Sequence, residues 1–216
     1  SSEADIAAAK LADEYQNQWY IQPLLQGTYP DIFNNLPEQD KPEIHPGDMK
    51  IISHPIDWFG INYYTRNLYK AGGENGFESV APVAGDEPLT DMGWEVYPYG
   101  LTEIMLQMHR RYKLPPMYIT ENGAAMPDNP PQNGVVDDPR RVSYFQQHLK
   151  AVHDAIEAGV DVKGYFAWSM MDNFEWTEGY AKRFGIVYVD YQTQQRTLKS
   201  SAIELGRFFG ERHNNN

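Results

Sequence analysis

The sequence predicts an α/β fold built on a parallel sheet, and three observations support this prediction. Helical and strand patterns alternate along the 216 residues, short apolar runs are typical of buried strands, and polar residues cluster where those runs end. Alternating elements form parallel sheets covered by helices, in a closed barrel or an open doubly wound sheet. The polar clusters follow all three main strands, and the carboxyl ends of barrel strands form one active-site face. The pattern therefore favours the barrel.

Periodicity and turn residues place the individual elements. A helix beginning at Ser1 and Ser2 runs to about Trp19, because serine followed by acidic residues starts helices. Five prolines between residues 26 and 56 predict a long loop with short helical turns. The other elements are a strand at 57–65, a surface excursion at 70–93, a helix near 101–112, a strand at 117–120, a helix at 138–159, a strand at 164–170, a short strand at 185–191 and a helix near 200–209.

Two of these elements end or begin at recognisable signals. Asn122 and Gly123 predict a turn directly after the strand at 117–120. Asp138 and Pro139 predict a helix start, with the aspartate as the cap, and this reading is preferred to a calcium site. The helix from Asp138 has an apolar stripe at Val142, Phe145, Leu149, Val152 and Ile156.

Composition excludes several classes of function. A net charge of −12 argues against nucleic acid or an anionic membrane as partner, and no apolar run approaches the roughly 18 residues of a membrane span. The absence of cysteine excludes disulfides and thiolate chemistry and fits a cytoplasmic protein, and no signal-peptide pattern opens the chain. The six histidines lack metal-ligand spacing, and we expect His109, His148 and His153 on helix surfaces. No glycine-rich phosphate or dinucleotide motif occurs, so no metal or cofactor is expected.

Polar residues at two strand ends are candidates for chemistry. Glu121 stands where a buried strand opens into a loop, which is a suitable place for a desolvated nucleophile but also for an ordinary solvated acid. Asn62 and Tyr64 end another strand, and a tyrosine hydroxyl there could orient a carboxylate and keep it ionised. Packing tyrosines in a buried strand are the alternative reading.

The segment at 168–176 is the most informative cluster. It places Trp168, Asp172, Asn173, Glu175 and Trp176 within nine residues of one another at a strand end. Aromatic faces together with a carboxylate grip polyhydroxylated rings well, whereas burying so many polar groups for packing alone would be costly. This segment therefore indicates a sugar site.

Five segments then carry a family resemblance. They are residues 58–65 (WFGINYYT), 90–94 (TDMGW), 118–123 (YITENG), 168–176 (WSMMDNFEW) and 182–190 (KRFGIVYVD). Together they resemble glycoside hydrolase family 1 over nearly the whole chain. The resemblance implies a (β/α)8 barrel, retaining hydrolysis of β-glucosides such as cello-oligosaccharides through two carboxylates, and a cis peptide between Trp168 and Ser169.

The resemblance also implies roles for individual residues. Glu121 matches the catalytic nucleophile, and Tyr64 matches the residue that contacts and orients it. Asn62, Trp168, Glu175, Trp176 and Phe184 match substrate-binding residues, with Trp168 as the floor of the glycone subsite and Glu175 and Trp176 holding the sugar's 4- and 6-hydroxyls. Asp172 is assigned by the same resemblance to sugar binding rather than to proton transfer.

The chain departs from the family pattern in what it lacks. The family's acid/base glutamate lies in an Asn-Glu-Pro motif after the fourth strand, and no such motif occurs here. Tyr99 also replaces a glutamate usual in the family, at a position where packing is the expected effect. The resemblance makes residues 1–216 the C-terminal part of one barrel, holding strands six to eight. A complementary N-terminal chain is then the expected partner, and a homo-oligomer remains possible.

Three other functions stay open. A 6-phospho-β-glucosidase of the same family is disfavoured because Glu175 would repel phosphate. A β-galactosidase is compatible with every motif. A non-catalytic carbohydrate-binding or interaction fragment is a reading of another class, which the presence of Glu121 disfavours because binding alone needs no nucleophile.

Overall fold

The computed structural model describes residues 2–86 and 88–213, which form two compact units. The helical unit consists of Ser1–Trp58, Asn67–Pro82 and Met108–Pro115. The sheet unit consists of Phe59–Arg66, Val83–Gln107 and Pro116–Asn216, and it contains every candidate site residue.

The helical unit opens with a longer helical segment than the sequence predicts. Ser2 caps α1 (Glu3–Asp13) through a capping box with Asp5. One π-helical stretch, Glu14–Gln18, joins α1 to α2 (Trp19–Gln26), so helix continues beyond the predicted end at Trp19. The proline-rich part holds only α3 (Ile32–Asn35), a 3-10 turn (Glu38–Asp40) and α4 (Asp48–Ile52), as predicted.

The sheet unit is built on three parallel strands. They are β1 (Phe59–Asn62), β4 (Met117–Asn122) and β5 (Val162–Ala167), in the order β1-β4-β5. Within the described residues β1 and β5 are therefore the two edges, and β4, which carries Glu121, is the centre. Side chains alternate across the sheet: Ile119 is fully buried towards the helices, whereas Phe166 on β5 is 57% exposed.

Three helices belong wholly or partly to this unit. They are α5 (Pro98–Arg111), α6 (Pro139–Glu157) and α7 (Ser200–His213), all close to the predicted positions. The predicted stripe of α6 is confirmed at Phe145 and Val152, which are buried, and is wrong at Ile156, which is 39% exposed. The buried face is wider than predicted, because it also holds Arg141, Tyr144 and His148. The expected surface position of His148 is wrong for the same reason: its ring is fully buried.

The sequence did not predict two antiparallel hairpins that the structure contains. The pair β2 (Leu68–Ala71) and β3 (Phe77–Val80) lies in the segment expected to be an irregular excursion. The pair β6 (Val187–Val189) and β7 (Arg196–Leu198) extends the short strand predicted near residue 187. The predicted turn at Asn122 is also wrong, since Asn122 is still part of β4.

No helix in the described part of the chain is long and apolar enough to cross a membrane. Across the side chains that the structure describes, in residues 2–86 and 88–210, no group of three or more potential metal ligands is arranged to hold an ion.

Candidate active site

A carboxylate and a phenol meet at the carboxyl end of the sheet. The Tyr64 hydroxyl donates a hydrogen bond to Glu121 Oε2 at 2.5 Å, although the two residues lie 57 positions apart. Burial, and then the bond to Glu121, raise the pKa of Tyr64, so its hydroxyl stays protonated and keeps donating. Glu121 is half-buried at the end of β4, and not the freely solvated loop acid of the alternative reading.

Two aromatic rings hold Tyr64 in place. Trp94 lies 5.5 Å from the Tyr64 ring centre, and Phe184 meets the same ring edge-on at 6.0 Å. Phe184 is only 1% exposed, so its contact with the site passes through Tyr64. Trp94 was not among the predicted site residues, although it lies in one of the motif segments.

Asn62 is held beside Glu121 by the neighbouring strand. Thr120 donates through its hydroxyl to Asn62 Oδ1 at 2.7 Å, which fixes the orientation of the amide. Because the amide oxygen is engaged, the amide nitrogen is the atom left to donate towards a ligand. Asn62 is exposed on the side of the sheet that the helices do not cover.

Asn122, which was predicted to form a turn, is buried and hydrogen-bonded to several elements. Its amide nitrogen donates to the Tyr63 carbonyl oxygen at 2.7 Å and to the Tyr144 hydroxyl at 3.1 Å. Its amide oxygen accepts a hydrogen bond from the Tyr165 hydroxyl. The residue next to Glu121 thus ties together the ends of all three strands and α6.

Gly123 and Trp168 make the closest backbone contact at the site. A Cβ atom on Gly123 would lie 1.7 Å from the Trp168 carbonyl oxygen, so no side chain fits there. The Trp168 amide donates to the Asn122 carbonyl oxygen at 2.8 Å. The peptide between Trp168 and Ser169 is cis, which confirms the expectation from the resemblance.

The loop between β5 and β6 presents Glu175 and Trp176. Glu175 is half-buried, and burial followed by the negative charges of Glu121 and Glu178 raises its pKa. Trp176 is 78% exposed and begins a 3-10 turn with a positive φ of 40°. Half-buried Trp168 lies at the start of the same loop. Glu175 therefore lies close enough to Glu121 for the two charges to interact, and the two indoles belong to the same loop as Glu175.

Asp172 does not face this site, which corrects its assignment to sugar binding. It is 3% exposed, and its carboxylate is paired with Arg183 at 2.5 Å and with Lys199 at 2.8 Å. The Gly185 amide donates to the same carboxylate at 3.0 Å. Because these partners occupy both carboxylate oxygens, Asp172 holds the loop that carries Glu175 in place.

The pairs of Asp172 belong to a larger buried network of charges. Lys199 also binds Asp128 at 2.5 Å, and Asp128 in turn binds Arg141 at 2.9 Å. Asp138 does not cap α6 with its side chain as expected, but binds Arg141 and the Ser201 hydroxyl, at 2.5 and 2.6 Å. Opposite charges and hydrogen bonds together satisfy these buried groups.

Comparisons with known proteins identify the family of this chain. The model of glycosyl hydrolase family 1 matches residues 1–213. The chain belongs to glycosyl hydrolase family 1. Its three-stranded sheet is accordingly part of a (β/α)8 barrel, as the sequence predicts.

Relatives in the family share about two fifths of the aligned residues. A β-glucosidase of Agrobacterium sp. is 43% identical over 202 residues, covering 92% of this chain and 44% of the relative. β-Glucosidase A of Thermotoga maritima is 42% identical over 205 residues, covering 92% and 45%. The solved family β-glucosidase of Exiguobacterium antarcticum superposes with a TM-score of 0.87 at 38% identity, covering 98% and 48%. The chain thus spans about half the length of the relatives that it matches.

Proposed function

We propose that this chain is the nucleophile-bearing part of a retaining β-glucosidase. The observation that carries the proposal is the 2.5 Å hydrogen bond from Tyr64 to Glu121 at the end of the central strand. A half-buried carboxylate oriented by a phenol is suited to attack an anomeric carbon, because its second oxygen is free to point at the substrate. Membership of the family and the β-glucosidase relatives support this choice of reaction.

The reaction proceeds in two displacements. A carboxylate oxygen of Glu121 forms a bond to the anomeric carbon, and the aglycone oxygen leaves with the bonding electron pair and takes a proton from a general acid. Water, deprotonated by the same group acting as base, then attacks the anomeric carbon. The bond to Glu121 breaks, its electrons return to the carboxylate, and the sugar is released with retained configuration.

Sugar binding is assigned to the groups around Glu121. The carboxylate of Glu175 accepts hydrogen bonds from two sugar hydroxyls, and the site's aromatic residues Trp168 and Trp176 offer faces to the ring's C–H surface. Asn62 donates through its free amide nitrogen. Phe184 acts from behind Tyr64, because it is buried.

The general acid comes from outside this chain. Retaining glycosidases hold their two carboxyl groups about 5–5.5 Å apart. Asp172 is ion-paired with Arg183 and Lys199, and Glu175, whose charge interacts with Glu121, is assigned to sugar binding, so neither is the acid. A complementary part of the barrel, supplying the other strands and the acid, would pair with the β1 and β5 edges. We call this assembly the completed barrel. We expect it to be located in the cytoplasm.

Covalent trapping tests the nucleophile. In the completed barrel a 2-deoxy-2-fluoro glucoside should label Glu121, and Glu121→Gln should abolish the label and lower turnover by several orders of magnitude. Glu103→Gln, the same change at an exposed position on α5, is the matched control and should keep both. Labelling of the Glu121→Gln protein at wild-type level would refute the assignment.

Glu175 provides a test of substrate class. A carboxylate beside the sugar should favour neutral glucosides over their 6-phosphates, because like charges repel. Glu175→Gln should narrow that preference, measured as the ratio of kcat/KM values for the two substrates. A wild-type preference for the phosphate would instead support the 6-phospho-β-glucosidase reading, and equal use of galactosides would widen the glycone range.

A further inference from the structure

The Tyr144 hydroxyl connects the two halves of the Tyr64–Glu121 pair from the helix side. Tyr144 lies in α6 and is 1% exposed, so it is closed off from any ligand. Its hydroxyl donates to the Tyr64 carbonyl oxygen at 3.2 Å and accepts from Asn122 Nδ2 at 3.1 Å. One oxygen atom is thus bonded to Tyr64 itself and to the residue that follows Glu121.

The geometry of Asn122 makes this link specific. The Tyr63 carbonyl oxygen can only accept, so the atom 2.7 Å from it must be the amide nitrogen of Asn122. The second proton of that nitrogen is the one given to Tyr144, and the amide oxygen accepts from Tyr165. Every polar atom of this fully buried amide has a partner, so the amide has a single orientation.

Tyr144 is itself held rigidly. Its ring stacks on His148 with centres 3.9 Å apart, and Phe145 meets it edge-on at 5.8 Å. Burial raises the pKa of Tyr144, so the hydroxyl keeps its proton and remains a donor to Tyr64. A fixed ring on a 19-residue helix therefore sets where the Tyr64 backbone lies.

We propose that Tyr144 is a positioning residue for the covalent step, acting through the backbone of Tyr64. This inference rests on the proposed function. By holding the Tyr64 carbonyl, Tyr144 holds the phenol on Glu121 Oε2, and the other carboxylate oxygen then points at the anomeric carbon. Tyr144 touches neither the substrate nor the bond that forms between Glu121 and the sugar.

The test is Tyr144→Phe in the completed barrel, because this change removes the hydroxyl and keeps the stacked ring. Inactivation by 2,4-dinitrophenyl 2-deoxy-2-fluoro-β-glucoside gives a dissociation constant for the first complex and a rate constant for trapping. The trapping rate constant should fall by about 10- to 100-fold, because small misplacements of reacting groups cost rates of this order. The dissociation constant should stay at its wild-type value, since no sugar contact is lost.

The matched control is Tyr112→Phe. Tyr112 is also a buried tyrosine whose hydroxyl is hydrogen-bonded, to Gln18, but it belongs to the helical unit. It should lose thermal stability and keep both constants. Equal losses in Tyr144→Phe and Tyr112→Phe, or a Tyr144→Phe protein with unchanged trapping, would overturn the proposal.

A second variant covers the case in which Tyr144→Phe does not fold. Tyr165→Phe frees the amide oxygen of Asn122 and should slow trapping in the same direction but less, while an unchanged trapping rate there counts against the link. The two proposals fail differently. If the wild-type protein is labelled at a residue other than Glu121, the proposed function falls; if Glu121 is labelled equally fast in every variant, only the positioning role does.

Discussion

Acidification is expected to weaken the sheet unit through His148. The imidazole is fully buried, its Nδ1 donates to the Tyr144 carbonyl oxygen at 2.7 Å, and its Nε2 has no hydrogen-bond partner. A charged ring would be held against the neutral phenols of Tyr144 and Tyr63, whose centres lie 3.9 and 6.0 Å away. Burial therefore lowers the pKa of His148 from 6.5 to about 4.

The sign and size of the effect follow from proton linkage. In the unfolded chain the His148 imidazole binds a proton below pH 6.5, whereas in the folded protein it binds one only near pH 4. The stabilising contribution is therefore complete above pH 6.5 and is lost as the pH falls from 6.5 towards 4. A pKa difference of roughly 2.5 units, at about 1.4 kcal/mol per unit, corresponds to about 3 kcal/mol of unfolding free energy.

Denaturant unfolding of the completed barrel between pH 7.5 and 4 measures this loss. His148→Phe keeps an aromatic ring on Tyr144 and should remove the His148 part of the pH dependence. His153→Phe changes an exposed histidine of the same helix and should leave the pH dependence at its wild-type size. Equal pH dependence in the wild-type and His148→Phe proteins, or an NMR titration of the native imidazole near 6.5, would refute the reasoning.

Three further outcomes are expected. In Gly123→Ala the new methyl group should keep β4 and the loop at Trp168 apart. We expect loss of activity and of several kcal/mol of unfolding free energy, seen as a lower melting temperature. An unchanged melting temperature would contradict the close contact. Lys199→Met should lower the free energy of unfolding by about 3–5 kcal/mol, because it removes one buried cation that Asp128 and Asp172 share. A decrease below about 1 kcal/mol, measured by urea unfolding, would count against the network. The isolated 216-residue chain should show no glycosidase activity and gain it on mixing with the missing part of the barrel; turnover by the chain alone would mean that a second carboxylate here had been misread.

Local sequence signals predicted the helices better than their buried faces. Pro139 and Gly159 bracket α6 within two residues, because proline and glycine act on the backbone directly. The apolar stripe predicted the buried positions Phe145 and Val152 but not Arg141 and His148. These two are buried because most of their polar atoms are hydrogen-bonded, which hydropathy does not register. The sequence did carry a signal that His148 is buried: it lies three residues after Phe145 and four before Val152, on the same face of the helix.

The candidate site depended on long-range pairing. Tyr64 and Glu121 are 57 residues apart, and no local pattern connects them; the family resemblance did. The β2–β3 hairpin was missed because its strands are only four residues each and a glycine-rich turn joins them. The turn predicted at Asn122 was wrong because asparagine before glycine usually signals a turn, whereas here the side-chain amide makes three hydrogen bonds, to Tyr63, Tyr144 and Tyr165.

The buried charges around Lys199 also have a consequence for how the protein opens. They join α6, α7 and the loop that carries Glu175, so none of these can open alone without stranding a charge in an apolar interior. These segments should then behave as one cooperative foldon in native-state hydrogen exchange. The amides of Gly185 and Ser201, which donate to Asp172 and Asp138, should exchange with the same opening free energy.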